Sequence, residues 1–143
     1  MSFYGLSQRT SNGVAAAASW EVRSAATNKP RIMEIGCTQF AATAGVYGIG
    51  RPAAIGLVPT TPQNFVNEDD AAAPTSLTTA AVAWGTPPTV PANFNRRVSC
   101  TNVVGVGFIL TFPRGVDVLV SQSIVVWIIA TAPVCDVWSV VSE

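Results

Sequence analysis

The sequence contains no histidine. That removes the commonest general base near neutral pH and a frequent metal ligand. Charge is nearly as scarce: charged residues are 11% of the 143 residues, against roughly 25% in an average soluble domain. Eight basic groups balance eight acidic ones, so the basic excess of a nucleic-acid module is missing and no nucleic-acid partner is expected. A disordered chain is excluded too, since it needs low hydrophobicity and high net charge. Cysteine is limited to Cys37, Cys100 and Cys135, an odd number at wide spacing. Without a C-x-x-C pair or histidine no zinc spacing exists, so no metal or cofactor is expected and the three read as buried, reduced thiols. Lysine is reduced to Lys29, beside seven arginines.

What is present is apolar. Hydrophobic residues make up 49% of the chain, with a mean hydropathy of +0.39. A surface so poor in charge belongs either to a membrane protein or to a subunit whose apolar area is covered in an assembly. Val118 to Cys135 is uncharged over eighteen residues, near bilayer length. It is broken by Ser121-Gln122-Ser123 and Thr131-Ala132-Pro133. The remaining block, Ile124 to Ala130, is β-branched and fits a strand buried on both faces rather than a spanning helix. Met1 to Gly5 lacks the basic and apolar regions of a cleaved signal. Arginine, with its planar and weakly hydrated head, suits fixed interface pairs. An assembling β-protein without a membrane partner is the reading that remains.

Two regions stand apart. Residues 1–29 carry Ser, Gln, Asn and the run Ala15 to Ala18, with Phe3, Tyr4 and Trp20 as isolated large groups. Alanine favours helix and Ser11 or Asn12 could cap one, but the apolar spacing is poor. The segment reads as an extended arm, anchored on a neighbour by its aromatics, or as a disordered tail.

Residues 30–143 read as one all-β domain of about seven or eight strands, a sandwich or jelly roll. In the first strand Met33, Ile35 and Cys37 share a face. Gly45 to Gly50 forms another, and Pro59 to Pro91 is mostly irregular with a strand near Ala81 to Trp84. Phe94, Arg96, Val98 and Cys100 alternate with polar residues, and Val106, Phe108, Leu110 and Phe112 point to the core. Pro113-Arg114-Gly115 reads as a turn. It is followed by Val116 to Val120, the Ile124 block and Val134 to Val141.

Catalytic groupings are hard to assemble. No G-x-S-x-G turn occurs, and any nucleophile would lean on a carboxylate or Lys29 as its base. Glu68-Asp69-Asp70 is the one acidic cluster, read as a solvated turn without the ligand spacing of a calcium loop. Gly45, Gly48 and Gly50 reverse the dinucleotide fingerprint. Alternation sends Arg96 and Arg97 to opposite faces, so they do not make a joint phosphate patch. No enzyme is expected.

Gly50-Arg51-Pro52-Ala53-Ala54-Ile55-Gly56, Val90 to Arg97 and Thr111 to Gly115, with the closing alternation through Trp127, Asp136-Val137-Trp138 and Val140-Val141, carry a resemblance. From Arg31 onward the chain resembles short virion proteins of phage structural modules, most closely capsid decoration, or cement, proteins. That resemblance implies a β-sandwich or jelly-roll subunit, a homotrimer, on the outside of a phage capsid made in the host cytoplasm. It implies the major capsid protein as partner, clamped at neighbouring subunits and often reached by an N-terminal arm. Phe3, Tyr4, Trp20 and Arg23 are then the expected interface residues. Other virion parts (connector, tail tip or fibre head) and a β-sandwich ligand-binding module remain alternatives.

Overall fold

A computed structural model describes residues 1–11, 13–69 and 72–143, and not the side chain of Val58. No helix occurs among the described residues, and none is long and apolar enough to cross a membrane. The all-β reading holds.

Eight long strands build the body: β1 (Phe3–Arg9), β2 (Ala17–Arg23), β3 (Arg31–Gln39), β4 (Gly45–Gly50), β10 (Arg96–Cys100), β11 (Gly107–Asp117), β12 (Ser123–Ala130) and β13 (Cys135–Ser142). Between β4 and β10 a long excursion carries β5 (Leu57–Pro59), β6 (Gln63–Asn64), β7 (Val66–Asn67), β8 (Thr79–Ala81) and β9 (Trp84–Thr86). One sheet runs β11-β3-β13-β1-β7 and the other β10-β4-β12-β2-β8-β6, with β5 and β9 as a separate ribbon. Every pairing is antiparallel. The chain pair β1–β2 lies along β13–β12, and β3–β4 along β11–β10. This nesting of outer around inner strand pairs is the jelly-roll arrangement of a two-sheet sandwich.

The core lies between the sheets. Ile32, Ile35 and Cys37 of β3 meet Trp20, Val22, Tyr47, Ile49, Ile124, Val126 and Ile128 from the facing sheet. Phe112 is buried, while Val106, Phe108 and Leu110 are half-buried against the same core, as their alternation predicts. Val125 and Trp127, on the opposite face of β12, are buried with Ala18 beneath Trp84 and Phe94. Two-sided burial of the Ile124 block thus has a cause: the excursion roofs the outer face of its sheet.

Several expectations need correction. Residues 1–29 are not an arm, because β1 is flanked by β13 and β7 and β2 by β12 and β8. The alanine run, whose helix propensity its apolar spacing did not support, is divided: β2 begins at Ala17, and Ala16 turns the chain with φ 59°. Asn12, the other suggested cap, lies outside the described residues. Met33 leaves the core face because a bulge in β3 moves the pairing from Glu34–Val140 to Ile32–Val141, so Ile32 replaces it. Pro113-Arg114-Gly115 is not a chain reversal but part of a bulge inside β11, between the Thr111–Glu34 and Val116–Ile32 pairs. Phe94 precedes β10 and packs over the outer face, away from Cys100 in the core. The described residues of 30–143 supply eleven strands, the excess over the expected number being the short ones of the excursion.

Candidate functional site

The expected anchors are spread over both faces. Tyr4 and Trp20 point inward and are 3% and 0% exposed. The Trp20 Nε1 donates to Gln8 Oε1 at 2.8 Å, and the Tyr4 hydroxyl donates to the Pro74 carbonyl at 3.0 Å. Their rings are filled from within this chain, so they cannot anchor it to another. Phe3, on the outer side of β1, is partly exposed.

Arg23 faces outward from β2 into the covered side of its sheet. Its Nη2 donates to Glu21 Oε1 at 3.1 Å and to the Gly56 carbonyl at 3.0 Å. Glu21 is fully buried and also accepts from Trp84 Nε1 at 2.6 Å. A buried charge must be paired and hydrogen-bonded, and here the pairing ties the excursion to the sheet.

The three cysteines converge inside the sandwich and are free and buried. Cys37 and Cys135 lie diagonally across the β3–β13 pair, and the Tyr47 hydroxyl stands 2.9 Å from Cys135 Sγ. The hydrogen bond with Cys135, then burial, pushes the Cys37 thiol well up. Cys135 is lowered, chiefly by the hydrogen bond from Cys37 and then by that from Tyr47, against its burial. Zero exposure of both sulfur-bearing residues closes the group to reagents in solution. Among the described residues no group of three or more His, Cys, Asp or Glu is placed to hold a metal ion.

The sandwich ends differ in charge. At one end all four crossovers between the sheets, residues 10–16, 40–44, 101–106 and 131–134, are without a charged residue. Val14, Phe40, Val103 and Val104 on these loops are exposed. The charges bordering them cancel: Arg9 Nε reaches Asp136 Oδ1 at 2.8 Å, and the Arg9 guanidinium lies 4.1 Å from the centre of the Phe40 ring. That hydrogen bond, with the Coulomb attraction, holds the Asp136 carboxyl below its ordinary range.

The other end carries charge of both signs. Arg31 Nε pairs with Asp117 Oδ1 at 2.7 Å, and Arg51 Nη2 donates to the Asp117 carbonyl at 2.7 Å. Arg96 and Arg97 part company as alternation requires: Arg96 lies 6.0 Å from the Phe112 ring centre, Arg97 5.9 Å from that of Phe94. Sequence reading missed that Arg96 shares a groove with Arg114 instead. The missing signal was the β11 bulge, which sets Arg114 beside that groove. Of the acidic cluster, Asp69 Oδ2 accepts from the Phe3 amide at 3.1 Å; Asp70 lies outside the described residues. A shallow groove of about 270 Å³ on the other sheet runs beside Trp138, over Gly5 and Ser7. It falls below the usual range of ligand pockets, about 300–1,000 Å³.

No protein-family model matches the chain, and neither a curated protein nor a solved structure does.

Proposed function

We propose that the chain is a capsid decoration protein of a bacteriophage, assembling as a trimer and clamping neighbouring major capsid subunits from outside. The observation that carries this reading is the uncharged loop end with its four exposed apolar side chains. Large apolar side chains gathered at one uncharged end mark a place covered in an assembly. An uncharged end also suits self-association, because around a symmetry axis each copy presents the same residues to the others. Like charges there would cost several kcal/mol. Jelly rolls serve in viral shells as well as in lectins, so the fold accords with the proposal without deciding it.

The test is copy number in purified particles, followed by binding to emptied shells. Many copies distributed over the shell, with rebinding of purified protein, are expected. A single ring at one vertex would identify a connector or tail part, and absence from particles would overturn the virion reading. In solution, Val103→Asp with Val104→Asp is expected to dissociate the oligomer seen by light scattering while leaving the melting temperature unchanged.

A further inference from the structure

We infer that the arginine-lined bulge of β11 is a docking surface for an acidic segment of a partner protein. Half of the chain's eight basic residues gather there: Arg31, Arg51, Arg96 and Arg114. On a chain of zero net charge this is a strong local imbalance. The carboxylates on the neighbouring strands are engaged, Asp117 by Arg31 and Glu34 by the Trp138 Nε1 at 2.9 Å. Arg114 is exposed and has no hydrogen-bond or ion-pair partner among the described residues.

Two grooves of about 390 Å³ each meet at this residue. Arg31 and Met33 line one with Arg114, and Arg96, Phe112 and Val116 line the other. The bulge makes them: Gly115, at φ +66°, takes a conformation open to glycine, and its lack of a Cβ lets Arg31 pack against it. Guanidinium forks bind carboxylates in pairs of parallel hydrogen bonds. The apolar floor of Met33, Phe112 and Val116 adds contact for an intervening side chain. An acidic peptide segment with an apolar residue between its carboxylates matches both features. Nucleic acid matches less well, because phosphate recognition needs a basic track rather than one patch on an otherwise neutral surface. This inference goes beyond the capsid reading and does not depend on it.

The experiment uses the full chain and no shell. A labelled peptide of alternating Glu and Phe, its Gln-for-Glu counterpart and a short single-stranded oligonucleotide are compared by fluorescence anisotropy at several salt concentrations. The Glu peptide is expected to bind and to weaken with salt, with the Gln peptide at least about tenfold weaker. Arg114→Gln and Arg96→Gln should each weaken the Glu peptide severalfold at unchanged melting temperature, while Arg97→Gln on the opposite face leaves it unaltered. Equal binding of the Glu and Gln peptides, or binding of neither, overturns the inference. So does an oligonucleotide that binds more tightly than the Glu peptide, which would make the patch a phosphate surface. Equal loss from Arg97→Gln would show general charge attraction and overturn it as well.

Discussion

Trp20 illustrates how far a single side chain can be read. Trp20 and Val22 do alternate with Ser19, Glu21 and Arg23, but a stripe of two apolar residues beside an alanine run is too short to announce a strand, and an isolated aromatic in such a segment looks like an anchor for something else. The structure supplies what one-dimensional pattern could not: Gln8 on β1 satisfies the indole, and Glu21 is paired with Arg23 and accepts a hydrogen bond from Trp84. Both partners come from other strands or from an alternate position, so burial of a charged neighbour was illegible. Trp20→Ala separates the two roles. With the ring in the core, the substitution is expected to cost about 3–5 kcal/mol in urea unfolding. A loss under about 1 kcal/mol would return Trp20 to the surface.

At the level of the element, periodicity served well wherever the strand was regular and failed where it bulged. Phe108, Leu110 and Phe112 alternate without interruption and face the core as expected. The same rule misplaced Met33, because one inserted residue flips every side chain before it to the other face. Pro113 and Gly115 look like a turn since both residues punctuate chains. Here they interrupt an edge strand, and such an interruption helps keep an open edge from pairing with another sheet. Gly115 bears the conformational burden. A Cβ there would sit 3.0 Å from that of Arg31, whereas one at Gly105, also at positive φ, would meet open space. Gly105→Ala should therefore cost about 1–2 kcal/mol from backbone strain. Gly115→Ala is expected to cost more, and equal melting temperatures for the two variants would show that Arg31 yields freely.

In the whole molecule the decisive fact is the distance along the chain between partners. Ser2 and Glu143 exchange both backbone hydrogen bonds, at 2.9 and 3.0 Å, and β1 runs in register with β13 along its full length. An alternation pattern names strands but says nothing about such pairings, which is why the sandwich was legible and its first two strands were not. Their small and polar residues passed for a tail. The uncharged loop end was less legible still, since it is distinguished by charge absent from four segments that only the fold brings together. The nesting also fixes what truncation must do. Removing residues 1–24 takes β1 and β2 together, opens a gap beside β13 and β12, and exposes the interior face of Val137, Val141, Ile124 and Val126. An arm could be trimmed at no cost to the domain, but the loss of two interior strands exceeds the roughly 5–15 kcal/mol of net stability available to a domain. The truncated chain is expected to lose near-ultraviolet dichroism and cooperative melting. A cooperative melt near that of the full chain would mean that the remaining strands close the core without β1 and β2, and that the jelly-roll nesting is not what holds it together.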